Sequence, residues 1–402
     1  MPELANNRFI PKFILNNFSI ERKSGTSQEN LIWKYNIEDN DCNLISSSKA
    51  YGQNSLGWNE NDKETSFLAN SLNQSLEQEF LPVYEHKFRK TEDSITLNCD
   101  ELNEVRRFLL SFLIRKPVGN FSIDDIYFYE QQYLGLTNHE RKFKDVSKYS
   151  EKDRITEDIK IIITTKFENI PKHPNCSYLL FHYWYLLNSA YLGFWKTSKK
   201  VDFVLPDVYS VSERDKLKAY DFSTGKVPMY TKAGFLYKLV EEKISLAKRN
   251  DVIFNGLFQS YREANIFHEN FWMFPLLQDF MIVLIHPLFK KLNENSILFE
   301  RKNQFINPSR VPIKYFMPYE VNVNSDTFDD YFDKKDSYTY NIFELDDETA
   351  MYLNVLALDQ AEVFFGFNDK AKIFKSVQEY QAFPSYKLNN YSNLFNTLSE
   401  GR

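Results

Sequence analysis

The apolar positions of this chain recur with a helical period more often than with the two-residue period of a strand. From Phe67 to Phe80 they return about every four residues, which draws a single apolar stripe. This pattern predicts a long helix over residues 64–80. Pro82 follows the stripe and predicts a kink or an end of that helix, because proline removes a backbone donor.

Two further helices are predicted from their first residues. Asn98 and Glu101 have the spacing of a capping box, and the apolar pattern after them continues until just before Pro117. Asp346 is a favourable N-cap for a helix that runs to about Phe365. Each start is recognised because short polar side chains accept hydrogen bonds from the free N–H groups of a first turn.

Two long apolar stretches, at residues 178–195 and 271–288, are candidate membrane spans by composition. The first contains His182 and Asn188, and the second is interrupted by a Gln–Asp pair and two prolines. Neither provides a clean span of about 20 residues. We therefore expect both to be buried core helices, and the wider region 235–292 to be strongly helical.

Extended structure is expected in four short places. Residues 193–211 alternate around a polar turn at 197–200 and predict a β-hairpin. Residues 8–18, 31–36 and 311–323 are also expected to be extended. Together these elements predict one α+β domain that is predominantly helical. It is expected to have a helical core and a small mixed or antiparallel sheet. Its expected regions are 1–63 (extended motifs), 64–175 (helical), 176–310 (hairpin and buried helices) and 311–402 (strand and helix).

Glycine shortage excludes two kinds of nucleotide site. The chain has 11 Gly beside 36 Phe, 25 Tyr and 5 Trp, whereas average usage would give about 28 glycines in this length. The closest glycine pair, Gly52 and Gly57, is followed by Trp58 where a P-loop requires lysine. No glycine pair has the spacing of a dinucleotide-binding turn. Any site must therefore be built from side chains on helices and strands.

The net charge and the cysteine usage limit the classes of partner and the cellular compartment that we expect. A net charge of −6 argues against coating nucleic acid through bulk charge, although it leaves room for a local basic groove. Cys42, Cys99 and Cys176 are far apart, so neither a disulfide framework nor a structural zinc site is expected. With no export signal in the first residues, we expect a cytoplasmic protein that does not enter a membrane.

The N-terminal motif resembles a known family. Phe9, Ile10, Pro11, Lys12 and Phe13, with Leu15 and Phe18, follow the aromatic–Ile–Pro–Lys–aromatic–x–Leu–x–x–Phe order of the bacterial domain-of-unknown-function family 4238. Further segments are similar to that family: Ile32–Tyr35, Glu77 or Glu79, Arg115–Pro117, Pro206–Tyr209, Met317–Val321 and Leu353–Asn354. The sequence departs at Arg8, where histidine is usual, and keeps only Asp207 of a Ser–Asp–Asn–Pro run.

The resemblance implies a role but no reaction. Members of this family look like accessory genes of phage-defence or mobile regions, and no activity is established for them. For this chain the resemblance implies a component of a conflict system, such as an abortive-infection toxin. Whether the protein is an enzyme is left open by the sequence.

A metal-dependent nuclease is the first functional hypothesis. Such an enzyme needs clustered carboxylates for Mg²⁺ and a lysine near the attacking water. Asp207 follows a predicted strand, and Glu77 is the second candidate carboxylate. Glu300–Arg301–Lys302 is the most strand-like acidic–x–Lys triplet. Apart from Mg²⁺ for such a nuclease, no cofactor is evident.

The arginines of the predicted helix before Pro117 supply a candidate clamp for phosphate or carboxylate. Arg115 lies on a different face from Arg106, and an ion pair with Glu77 or Glu79 is the structural alternative. Because Arg106 and Arg107 are adjacent, they cannot both face the core, so at least one is expected to face solvent.

Three weaker sequence patterns are also considered as candidate functional sites. Arg262 and His268 have the spacing of a helical ribonuclease site, which also arises by chance. The acidic run 326–336 lacks the glycine and ligand spacing of a calcium loop and is expected to be a solvated loop. His182 lies among aromatic residues and is expected to be a core histidine.

Two functions therefore remain open. The first is an anti-phage or conflict-system effector that acts on nucleic acid through Asp207, Glu77 and Arg115. The second is a non-catalytic sensor or scaffold that binds a phage or host protein through an aromatic surface.

Overall fold

Two β-sheets of five and seven strands form the frame of the molecule. The computed structural model describes residues 10–24, 27–50, 71–90, 93–114, 151–214, 269–285, 320–322, 336–382 and 389–400, with residues 315 and 318 and short gaps at 72–73, 76–77, 199, 208, 210 and 362. The fold is α+β. The prediction of a predominantly helical protein with one small sheet is wrong, because the apolar stretch 271–288 and the end of the stretch 178–195, both assigned to helices, form buried strands.

The five-stranded sheet is antiparallel throughout, and its long central strand β2 pairs with three others. Its last strand, β6, is reached through β12. The strands are β1 (Ile20–Ser24), β2 (Ser27–Asn36), β3 (Asp41–Ser46), β6 (Leu205–Pro206) and β12 (Phe364–Phe367).

The seven-stranded sheet has the order β10-β11-β5-β9-β8-β7, with β4 also paired to β11. Only the β11–β5 pair is parallel. The strands are β4 (Ser94–Asn98), β5 (Tyr191–Lys196), β7 (Val211–Arg214), β8 (Glu269–Leu277), β9 (Phe280–Ile285), β10 (Glu320–Asn322) and β11 (Ser337–Glu344).

Helices pack against both sheets and enclose a continuous apolar core, in which Phe80 and Phe108 stack with ring centroids 4.0 Å apart. A π-helical turn covers Tyr84–Phe88 and a 3-10 helix covers Phe167–Lys172. The α-helices are α1 (Lys12–Asn17), α2 (Ser47–Ala50), α3 (Cys99–Leu113), α4 (Glu151–Thr164), α5 (Tyr178–Ser189), α6 (Asp347–Gln360), α7 (Lys370–Ala382) and α8 (Ser392–Glu400).

The predicted helix starts are confirmed. The Asn98 side chain accepts from the Glu101 N–H, and the Glu101 carboxylate accepts from the Asn98 N–H, which is the complete capping box. The Asp346 side chain caps α6 by accepting from the Thr349 N–H. That helix ends at Gln360, earlier than expected, because Phe364 begins strand β12.

Two local predictions are wrong, and so is one of the two alternatives predicted at Pro82, an end of the helix. The stretch 271–288 contains the β8–β9 hairpin, whose strands are buried and therefore show an unbroken apolar run like that of a core helix. The motif residues 12–17 form helix α1 and are not extended. Helical structure continues past Pro82 into the π-helical turn.

The predicted hairpin at 193–211 is also absent from the described structure. β5 pairs with β9 and β11 in the seven-stranded sheet, whereas β6 pairs with β12 in the other sheet. Residues 201–207 therefore cross from one sheet to the other. We call them the crossing segment.

Candidate functional site

Asp207 is the predicted catalytic residue that the structure describes. It is the last residue of the crossing segment, and all residues of that segment are buried. Glu77 and Arg115, the other two predicted catalytic residues, lie outside the described residues. The nuclease hypothesis is therefore judged by the geometry around Asp207.

The Asp207 carboxylate is bound to backbone. Its Oδ2 accepts hydrogen bonds from the N–H groups of Val363 at 2.8 Å and Phe364 at 3.4 Å. The Asp207 N–H in turn donates to the Phe364 carbonyl at 3.1 Å. With 1% of its surface exposed, Asp207 ties the end of β6 to the start of β12. A carboxylate held in this way positions backbone.

Lys34 of β2 interacts electrostatically with this carboxylate. Its ammonium lies 3.9 Å from the centroid of the Phe364 ring, a cation–π arrangement. Burial lowers the pKa of Lys34, and the charges of Asp207 and Asp39 oppose that shift. The sheet thus brings a lysine from β2 towards the aspartate that follows β6.

Asp202 is the second residue of the same crossing segment and forms its second charged contact. Its Oδ1 accepts from the Lys372 ammonium at 2.8 Å, and its side chain is 4% exposed. Oδ2 is buried and has no hydrogen-bond partner in the described part of the chain. Burial raises the pKa of the Asp202 carboxyl, and the bond from Lys372 works in the opposite direction.

Asn354 of α6 holds the middle of the crossing segment. Its Oδ1 accepts from the Val204 N–H at 3.0 Å, and its Nδ2 donates to the Asp202 carbonyl at 2.8 Å. The same amide donates to the Ser376 hydroxyl at 3.0 Å. One buried amide therefore joins α6 and α7 to the crossing segment.

Two of the segments singled out in the sequence, 32–35 and 206–209, are joined in the structure by strand β12. Trp33 and Tyr35 of β2 pair with Phe367 and Phe365 of β12. β12 in turn pairs with Pro206 in β6. Segments that are distant in sequence thus assemble one structural unit, and their side chains serve the fold of that unit.

The arginines of α3 have different environments. Arg107 is 4% exposed, and its guanidinium donates to the carbonyls of Ile162 at 2.7 Å and Ile163 at 2.8 Å. It also pairs with Glu79 and with Glu104. Glu79, one of the carboxylates considered for Arg115, is therefore bound to Arg107.

Arg106 points elsewhere and is partly exposed. One guanidinium nitrogen donates to the Asn103 Oδ1 at 3.4 Å. The two arginines diverge as their adjacent positions require, yet neither side chain is fully exposed.

The described structure does not bring the remaining candidate residues together into a site. No group of three or more His, Cys, Asp or Glu side chains that could hold a metal ion occurs among them. Arg262, His268 and Glu300–Arg301–Lys302 lie outside the described residues, as does the side chain of His182. Asp336, expected in a solvated loop, is 3% exposed. Cys42, Cys99 and Cys176, all among the described residues, form no disulfide there.

Sequence reasoning missed Asp202, Lys34 and Lys372. A usable signal existed for Asp202, because a single charged residue inside the apolar run 201–205 requires a buried partner. Neither lysine has such a signal. Their partners lie more than 150 residues away in the chain, and only the pairing of the strands and helices brings them together.

The described helices include none that is long and apolar enough to cross a membrane. Comparisons with protein-family models, with curated proteins and with solved structures found no match. The resemblance to family 4238 therefore remains an expectation from the N-terminal motif.

Proposed function

We propose that the protein is a non-catalytic sensor or scaffold of a bacterial conflict system, which binds a phage or host protein. The observation that carries this proposal is the state of Asp207. Its carboxylate is buried and accepts two backbone hydrogen bonds, so it closes the join between β6 and β12. A residue committed to the fold in this way is a poor ligand for a catalytic metal ion.

The charges around Asp207 support the same conclusion. Asp202 is paired with Lys372, and the Asn354 side-chain amide forms hydrogen bonds with three groups of the fold. Each of these contacts joins two elements of structure. The crossing segment therefore acts as a fixed core element.

The binding surface of this proposal is polar. The aromatic stretches that were expected to offer an aromatic surface contribute to the core, with Trp195 and Trp272 both 0% exposed. Single exposed apolar residues such as Val321 are ordinary on a protein surface. We therefore place partner recognition on charged and polar side chains.

The nuclease hypothesis retains one favourable observation, the lysine that the sheet brings towards Asp207. In an acidic–x–Lys arrangement the second carboxylate would stand two residues before that lysine. Here the position is Ile32, which is 0% exposed and cannot bind a metal ion. Asp39, which also acts on Lys34, is exposed on the turn after β2.

Asp207→Asn tests the proposal, because the amide oxygen of asparagine can still accept from both N–H groups. We expect purified wild-type protein to leave RNA and DNA intact in Mg²⁺ or Mn²⁺. In phage-challenged cells, Asp207→Asn should keep the wild-type growth phenotype and co-purify with the same phage or host protein. Asp39→Asn is the matched control. Metal-dependent cleavage by the wild type that is lost in Asp207→Asn would contradict the proposal.

A further inference from the structure

Arg107 of α3 joins three parts of the fold. Its Nε and Nη2 atoms donate to two carbonyl groups of α4. Nη2 also donates to the Ser75 hydroxyl at 3.2 Å. The other terminal nitrogen, Nη1, contacts two carboxylates, those of Glu79 and Glu104. The guanidinium thus has an acceptor for each of its five N–H donors, and one nitrogen serves both acids.

The carboxylate of Glu104 lies beside like charges. Asp100 precedes it by four residues on α3, so the two side chains share one face of that helix. The 3-10 helix at 167–172 packs against α3, and its Glu168 carboxylate accepts from the Asn103 amide at 3.5 Å. Asn103 is the residue before Glu104, so the 3-10 helix brings a third carboxylate to this part of α3.

Glu104 is also partly removed from water, since only 26% of its side-chain surface is exposed. A half-buried carboxylate with like charges beside it holds its proton more tightly than a free one. Burial raises the pKa of the Glu104 carboxyl to about 7, with the charges of Glu168 and Asp100 as further causes. The ammonium of Lys166 acts against that shift. The ionised and the protonated forms of Glu104 are therefore both populated near neutral pH.

We propose that Glu104 is a proton-operated switch that sets how firmly Arg107 holds the helical residues 78–83. When Glu104 is ionised, the single positive charge of Arg107 is divided between two carboxylates. Once Glu104 takes up a proton, that charge is left to Glu79 alone. Proton uptake therefore tightens the contact between α3 and the segment that carries Glu79, because a hydrogen bond between two charged groups is the stronger kind. The switch does not involve the crossing segment, so it does not rest on the proposed function.

The direction of the pH effect follows from the raised pKa of Glu104. The folded state binds the Glu104 proton more tightly than the unfolded chain, in which a glutamate has its ordinary pKa of 4.5. The stabilisation from this proton is therefore present in acid and is lost as the pH rises through about 7.

The test is urea denaturation of the full chain at pH 6 and at pH 8. Glu104→Gln resembles the protonated form and cannot ionise. Between the two pH values, the unfolding equilibrium constant of the wild type should rise about three- to tenfold more than that of Glu104→Gln. Glu344→Gln, which removes an exposed carboxylate at the end of β11, is the matched control and should keep the wild-type rise. An equal rise in the wild type and in Glu104→Gln would overturn the switch.

Glu79→Gln tests the sharing of Arg107 between the two acids. Without the Glu79 charge, the guanidinium acts on Glu104 alone and favours its ionised form. The midpoint of the pH step, measured by urea denaturation between pH 5 and pH 9, should therefore fall by about 0.5–1 pH unit. A merely structural role of Glu104 would leave this midpoint in place. If Glu104→Gln does not fold, the midpoint in Glu79→Gln decides by itself: a fall supports the switch, and an unmoved midpoint overturns it.

Discussion

The charged side chains of the crossing segment and Arg106 of α3 have different hydrogen-bond and ion-pair partners. In the crossing segment, Asp207 binds backbone N–H groups and Asp202 binds Lys372, so each charge has a contact within the fold. On α3, the described hydrogen bond of Arg106 is a long one, to Asn103 at 3.4 Å, and no described carboxylate forms an ion pair with it. The difference teaches that burial alone does not identify a functional charge.

The strongest test of the crossing segment is Asn354→Ala. This change leaves the Val204 N–H, the Asp202 carbonyl and the Ser376 hydroxyl without their partner. Since each buried polar group left unpaired costs about 1–3 kcal/mol, we expect unfolding to become easier by about 3–4 kcal/mol in urea denaturation. Asn393→Ala, at an exposed position of α8, should change stability by less than about 0.5 kcal/mol. Equal effects of the two changes would contradict a structural role for Asn354.

Lys372→Met tests the charge pair. Removing Lys372 leaves Asp202 buried without its cation, and because the lysine is partly exposed we expect a loss of about 2–3 kcal/mol at pH 8. Lys375→Met, at an exposed position of the same helix, is the control.

The pH dependence of Lys372→Met follows from the sign of the Asp202 shift. Burial already raises the pKa of Asp202 in the folded state, and loss of Lys372 raises it further. The folded state then binds the proton more tightly than the unfolded state, so stability is lost as pH rises through the folded pKa. The deficit relative to wild type should therefore be smaller at pH 5 than at pH 8. A deficit that is the same at both values would show that the ion pair does not cause it.

Substitution of Asp207 should change the free energy of unfolding by a smaller amount, which depends on the residue introduced. Asp207→Ala removes the acceptor for the N–H groups of Val363 and Phe364 and should cost about 2 kcal/mol. Asp207→Asn retains an oxygen acceptor and should cost less than half as much. Urea denaturation of both variants distinguishes these values. If Asp207→Asn were the more damaging change, the negative charge, and not the hydrogen bonds, would be what the site requires.

Arg106→Gln should give the smallest effect, with the opposite sign. The change removes a cation that has one long hydrogen bond and no ion pair among the described residues, so we expect stability to stay the same or to rise by up to about 1 kcal/mol. Arg107→Gln, by contrast, should be destabilising because it leaves two carbonyl groups and Glu104 without their partner. Similar losses at both positions would remove the distinction between the two arginines.

Local signals were sufficient where a feature depends on a few adjacent residues. The capping box at Asn98 and the cap at Asp346 appear where the sequence places them, because the donors and acceptors are three residues apart. The apolar run 271–285 was misassigned because a strand buried on both faces and a core helix have the same composition. Proximity of Asp207 to β12 could not be predicted, since 156 residues separate Asp207 from Val363.

The sequence by itself determined the helix starts, the shortage of glycine that excludes phosphate loops, and the apolar content that fills a large core. Tertiary structure decided which charges the fold neutralises. Asp207, Asp202 and Arg107 are ordinary charged residues in the sequence, and each is bound only because a remote strand or helix supplies its partner. Arg106 has the same chemistry as Arg107 and lies one position away. A rotation of about 100° around the helix separates the two positions, and the described hydrogen bond of Arg106 is the long one to Asn103.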